Sequence, residues 1–259
     1  MDAYFYIIMA ALIIIEYVYS KHMNYDMDLR QLVCNISCSV MILLFQPLTE
    51  QSYMPALEWV AQHPIVFSQS LPFIAQLMLG LLILDLTVYL LHRAQHNSPI
   101  LWWMHETHHQ ATEMNLSVGF RQSLFSFLII WLAIVPLLFL GFSQQVIILS
   151  LFMHRFYDML MHTNKAIGFG LFEWVLVSPR LHRVHHGYEP QYINKNFANV
   201  FILFDRLFGT FQPAENQGNA IGLSNKKGPI YNPIRASMEP FKSLLKIRKL
   251  NQLFLFSKK

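Results

Sequence analysis

Apolar residues run in long blocks along the chain as far as Met161. Ala3 to Tyr19, Leu32 to Leu48 and Phe73 to Leu91 each approach the length a membrane helix needs, about 20 mostly apolar residues for a hydrocarbon core about 30 Å thick. Leu124 to Met161 is longer, and Pro136 with Gly141 breaks it into a hairpin of two helices. This pattern predicts an all-α, multi-pass membrane helical bundle. The tail from Pro240 to Leu253 alternates Lys and Arg with Phe, Leu and Ile at near-helical spacing, which predicts a segment lying on the membrane surface.

Basic residues orient these spans. The segment from Pro47 to Leu71 has no Lys or Arg, whereas the turn around Lys21 and Arg30, the stretch from Arg93 to Arg121 and everything after Lys165 carry them. One alternating path fits all of these, with the N-terminus and a Pro47 to Leu71 loop outside and the central and C-terminal segments in the cytoplasm. A bacterial inner membrane fits better than endoplasmic reticulum.

Composition agrees with the pattern. Of 259 residues, 54% are hydrophobic and 13% charged, against about 25% charged in an ordinary soluble domain. No repeat or Pro/Gly/Ser-rich linker divides the chain, so residues 1–259 are expected to form one domain. Membrane helices fill 1–84 and a basic tail fills 212–259, with a histidine-bearing region, 85–211, between them. The net charge of +4 is not interleaved with aromatics on a soluble face, so nucleic acid is not the expected partner. Cys34 and Cys38 stand one helical turn apart in an apolar run with no His nearby, which suits packing rather than a disulfide or zinc site. Trp102 and Trp103 read as interfacial anchors.

The chemistry lies in the histidines. Of twelve, eight fall in three tight clusters: His92-Arg-Ala-Gln-His96, His105-Glu-Thr-His108-His109 and His182-Arg-Val-His185-His186. Residues three or four apart share a helix face, so His92 can bind with His96, and His105 with either His108 or His109. Adjacent residues diverge by about 100°. His108/His109 and His185/His186 can therefore feed two neighbouring metals. Imidazole suits iron, zinc, copper and nickel. His162, with Asn164 beyond it at the cytoplasmic end of the last apolar helix, is the expected ninth ligand, while His154 is expected to line the core. The isolated His22 and His63 read as ordinary surface or core residues. Asp85 and Tyr89 lie on the helix face of His92 and His96, and a carboxylate within a membrane helix points to function. Asp85 is thus a candidate acceptor for a ligand N–H, and Glu113, Asn115 and Arg121 after the second cluster are further candidates to support the ligands.

The spacing H-x3-H, H-x2-H-H, H-x2-H-H resembles the fatty acid hydroxylase/sterol desaturase superfamily, as do the strings DLTVYLLHRAQH, HHQATEMNLSVGFRQS, SPRLHRVHHG and NKNFANVFILFDRLFGTF. The look is closest to its alkylglycerol monooxygenase-like and bacterial sterol-desaturase-like branch. Asn194 stands where many relatives have Asp, and Ala198-Asn199 where they have Gly. The resemblance implies a non-haem centre of two iron ions, with zinc as a substitute, held by His92, His96, His105, His108, His109, His162, His182, His185 and His186. It implies O2-dependent attack on a lipid C–H bond (hydroxylation, ether cleavage or desaturation) with a lipid drawn from the bilayer. Electrons would come from a cytochrome b5- or ferredoxin-like partner or from a reduced pterin.

The second cluster also reads H-E-x-x-H, the zincin motif, in which Glu106 would serve as general base beside a zinc held by His105 and His109. A membrane zinc metalloprotease is the alternative function. It leaves the first and third clusters without a task. A metal transporter would want polar residues through the bilayer depth, but these histidines gather at one interface.

Overall fold

The structure, a computed structural model, describes residues 3–22, 27–65, 70–215, 220–223 and 228–242. Among these residues the chain is helical and forms no strand. Its extended pairings are two isolated bridges, Leu176 with Phe201 and Gly187 with Ile221.

Helices α1 (Ala3–His22), α2 (Leu29–Gln62) and α3 (Phe73–Asn97) come first. Asp28 caps α2, its carboxylate accepting from the Arg30 N–H at 2.9 Å. Where the pattern predicts a loop from Pro47, α2 instead continues through Pro47 and Pro55 to Gln62. A proline inside a helix removes a backbone donor and crowds the preceding turn. Local hydroxyls soften the cost, since Thr49 donates to the Gln46 carbonyl at 3.0 Å and Ser52 to that of Thr49 at 2.6 Å. At about 1.5 Å per residue α2 runs about 51 Å, far beyond a hydrocarbon core.

Among the described residues, α2 and α3 are the two helices long and apolar enough to cross a membrane. The expected hairpin from Leu124 to Met161 is only partly present. Between Leu124 and Phe139 the chain is a succession of short 3-10 and α pieces, among them α5 (Phe127–Ile130) and α6 (Val135–Phe139). That run falls short of a span. Pro136 opens α6 rather than closing a helix, as its fixed φ favours. The reversal lies at Gly141, whose φ of +75° suits glycine, and leads into α7 (Gln144–Met161). Gly80 lets α3 approach α7, because a Cβ there would stand 3.0 Å from Ser150 Oγ and 3.1 Å from Val146 Cγ1.

Ser98 alone separates α3 from α4 (Pro99–His109) and ends one helix while capping the next. The chain thereby folds α4 back on the end of α3. Two short helices follow, α8 (Pro179–His186) and α9 (Leu203–Leu207). A last helix at 233–242 covers α4, its Ala236 carbonyl accepting from Thr107 Oγ1 at 3.0 Å and Gln110 Nε2 at 3.1 Å. Of the surface tail expected from Pro240 to Leu253, only Pro240 to Lys242 are described; the rest lies outside the described residues.

Candidate metal centre

Four elements deliver imidazoles to one place: the end of α3, α4, the C-cap of α7 and α8. They form two groups, His92, His96, His105, His109 and His185 in one and His108, His162, His182 and His186 in the other. Within each, the offered ligand atoms lie within 4.8 Å of one another. The helical arithmetic explains the division. Pairs four apart stay together (His92/His96, His105/His109, His182/His186), while the neighbours His108/His109 and His185/His186 part into different groups. His162 takes its expected place, and His154 does not join.

Three of the outward ring nitrogens are held by backbone carbonyls. His92 Nδ1 lies 2.7 Å from the Phe197 carbonyl, His185 Nδ1 2.9 Å from that of Lys195 and His162 Nδ1 2.7 Å from that of Asp158. A carbonyl only accepts, so these Nδ1 atoms carry the proton and Nε2 is left as a lone pair. The inward Nε2 atoms nevertheless face one another, at 2.8 Å for His92 and His105, 3.1 Å for His105 and His109, 3.2 Å for His108 and His162 and 3.0 Å for His162 and His182. His96 Nε2, His185 Nε2 and both nitrogens of His186 are buried without a hydrogen-bond partner. Burial, reinforced by neighbouring rings, pushes His105, His108, His109, His182, His185 and His186 well below the ordinary imidazole range, so at pH 7 they are neutral. Crowded neutral lone pairs repel unless cations sit between them. The donor set fits two imidazole-liking metal ions.

Behind the rings lies a strap, residues 195–201, whose carbonyls hold His92 and His185. Two buried carboxylates pin it. Asp205 accepts the Phe197 and Ala198 N–H groups at 2.8 Å each, and Asp85 accepts those of Val200 at 3.1 Å and Phe201 at 2.8 Å. Asp85 therefore acts otherwise than expected: its imidazole partner is His154, at 3.1 Å, and it reaches His92 only through the strap. Asn196 adopts φ +53°, which asparagine tolerates, and its side chain donates to the Leu181 and Gln212 carbonyls. Asp205, Asn196 and Asp158 were not singled out by sequence. Their one signal is that they flank the third cluster as polar residues among Phe, Val and Leu.

The other expected site residues lie farther out. Glu113 accepts the Asp28 N–H at 3.1 Å, Asn115 caps the turn Leu116–Phe120, and Asn164 donates its N–H to Glu16 at 2.9 Å. None of these bonds goes to an imidazole. Arg121 is fully buried and braces α4 against α2, donating to the Thr107 carbonyl and Asn35. Trp102, expected as an anchor, instead packs on His96 and His109, with ring centroids 4.9 and 5.3 Å away. Glu106 faces another cavity, bounded by Gln110, Thr112 and Tyr188, that none of the nine histidines lines. His105 and His109, the two histidines of the zincin motif, share a group, but they do so with His92, His96 and His185, while Glu106 lines that other cavity.

A cavity of about 410 Å³ opens directly onto the first group, lined by His96, His109 and His185 together with Trp102, Ile193 and Leu223. No member of the second group lines it.

The fatty acid hydroxylase family model matches residues 77–210, a stretch that holds all nine histidines, Asp85 and Asp205. Alkylglycerol monooxygenase of Homo sapiens is 37% identical over 141 residues, covering 54% of this chain and 31% of that protein. Ornithine lipid hydroxylase of Rhizobium tropici is 30% identical over 173 residues, 65% of this chain and 49% of that protein. Cholesterol 25-hydroxylase of Rattus norvegicus is 28% identical over 211 residues, 76% and 66% respectively. The chain thus spans about a third of the length of the alkylglycerol monooxygenases it matches. No solved structure matches it.

Proposed function

Because the chain belongs to the fatty acid hydroxylase family, we propose that it is a membrane-embedded oxygenase that uses O2 and external electrons to oxidise a C–H bond of a lipid. The observation that carries this reading is the convergence of nine imidazoles, with Nε2 atoms of neighbouring rings as close as 2.8 to 3.2 Å, into two groups that could each hold one metal ion. We assign an iron ion to each group, with zinc as a substitute, since imidazole binds both. When bound, the iron pair supplies the O2 chemistry.

The protein's own part is orientation and exclusion. Carbonyls of Lys195, Phe197 and Asp158 keep Nδ1 of His185, His92 and His162 protonated and those three rings aimed inward. Trp102, Ile193 and Leu223 present an apolar wall along which an alkyl chain can lie with one carbon beside His96, His109 and His185. The relatives' names point to long-chain or sterol lipids, so the substrate class is a bilayer lipid entering by its apolar part, and the outcome is hydroxylation, ether cleavage or desaturation. Electrons come from a cytochrome b5- or ferredoxin-like protein or a reduced pterin. The long apolar helices α2 and α3, with Leu44, Leu48, Ile74 and Met78 all exposed, support a membrane location, which we assign to a bacterial inner membrane. The Lys/Arg asymmetry supports a cytoplasmic centre.

The test is lipid mass spectrometry of cells with and without the gene under labelled oxygen, beside metal analysis of the purified protein. Label entering a gene-dependent lipid and iron in the protein are expected. A protein without bound metal, or a lipid pool unchanged by the gene, overturns the reading.

A further inference from the structure

Away from the metal centre, the described surface carries an apolar patch that the proposed activity does not use. The 3-10 turn Gly170–Trp174 leaves Leu171 85%, Phe172 72% and Trp174 64% exposed, and beside it α9 leaves Leu207 75% exposed, with Leu203 and Phe208 also open. The turn and the helix form one face. Arg206 of α9 donates to the Glu173 carbonyl at 3.1 Å and lies 4.6 Å from the Trp174 ring centroid, while Leu176 bridges to Phe201. Monomeric soluble proteins rarely leave such large side chains clustered in water.

The position of the patch identifies what covers it. Phe204 and Phe208 pack on Tyr89, with centroids 6.0 and 5.4 Å away, and the strap just before α9 is bound by Asp85. Both anchors lie on α3, one to two turns before His92 and inside its apolar stretch. At about 1.5 Å per residue that is about 5–10 Å toward the hydrocarbon from His92, the depth at which interfacial segments rest. The basic side chains at its edge are Arg206, over the Trp174 ring, and Arg180, whose guanidinium pairs with the buried Glu173. An aromatic and aliphatic face with a basic edge suits a bilayer with anionic headgroups.

We propose that the turn Gly170–Trp174 and α9 form an interfacial seat that dips into the same membrane leaflet from which α3 emerges. This rests on the reading of α3 as a membrane span. The seat is continuous with the strap through Asp205 and Phe201, so the lipid surface braces the segment that aims His92 and His185.

The test places nitroxide labels at Phe172→Cys and Leu207→Cys in the full-length protein in vesicles of phosphatidylcholine and phosphatidylglycerol. Met78→Cys on α3 and Gln191→Cys on an exposed loop serve as lipid and water references. The buried Cys34 and Cys38 set the background. At positions 172 and 207 we expect collisions with dissolved O2 to match those at 78, and collisions with a water-soluble nickel chelate to fall several-fold below those at 191. Nickel access at 172 and 207 equal to that at 191, with 78 still in lipid, overturns the seat and leaves the span intact. Shielding of both positions from O2 and nickel means that protein covers the patch, and likewise overturns it. Nickel access at 78 overturns the span itself.

Discussion

The two histidine groups are made from the same side chains on the same helices, yet they live in different surroundings. The first has five imidazoles, one of them only half-buried, and borders the 410 Å³ cavity. The second has four, all buried, enclosed by the end of α7 and by the turn Leu116–Phe120, where a Cβ on Gly119 would stand 3.6 Å from His162 Nδ1. Its rings face protein on every side described. The difference separates two tasks that a symmetrical cluster would blur: a group with a spare imidazole and an open face can admit a reactant, whereas a sealed group with none to spare serves best as a fixed partner.

The sharpest way to break this contrast is to remove one ring from each side. His162→Ala leaves three imidazoles in the sealed group, and activity should fall at least about 100-fold, since even outer partners of ligands are worth about 10- to 100-fold. Bound metal should fall by half. His96→Ala leaves four in the open group, and a loss nearer about 10-fold is expected with metal largely retained. Equal losses of metal in the two variants would show that openness and ligand number do not matter here.

A smaller effect is expected behind the rings. Asp205→Asn weakens the acceptor that holds the Phe197 and Ala198 N–H groups, and the strap orients only rings of the first group. Metal affinity of that group should drop about 10- to 100-fold while the other keeps its metal, as read by competition with a chelator. A parallel drop in both groups would mean that the strap supports the fold at large.

The smallest effect is expected at Glu106. Glu106→Gln should retain turnover within about 10-fold of the parent, where loss of a general base typically costs about 100- to 10,000-fold. An inactive variant would give Glu106 a general base's task beside His105 and His109 and leave the second group without a role.

How far the sequence foretells this centre depends on what each residue does with its side chain. Imidazoles four apart on a helix, and neighbours 100° apart, follow from pitch alone, so His92, His96 and the split pairs were readable. The choice of His109 over His108 as the partner of His105 was not, because both share its face. Asp85 was placed on the right face, but spacing along one helix says nothing of what crosses from α7, and His154 intercepts it. The strap left almost no trace, since it works through carbonyls that every residue possesses. Pro47 and Pro55 read as stops because proline lacks a donor, and α2 passes both. Trp102 shows the reverse error: an aromatic residue at a membrane edge suits lipid or a ligand cavity equally, and here it borders the cavity.

The strap also dictates an order of events during synthesis. His92 is made early, but the carbonyl that orients it belongs to Phe197, 105 residues later, and the carboxylate that holds Phe197 comes later still at Asp205. At about 5–20 residues per second, a nascent chain holds His92 for about 5–20 s before its orienting partner exists. Metal capture in that interval would meet freely rotating rings. Selective loading of the centre therefore waits until Asp205 has been made, and a ribosome stalled before Asp205 would present the ligands without the geometry that makes them selective.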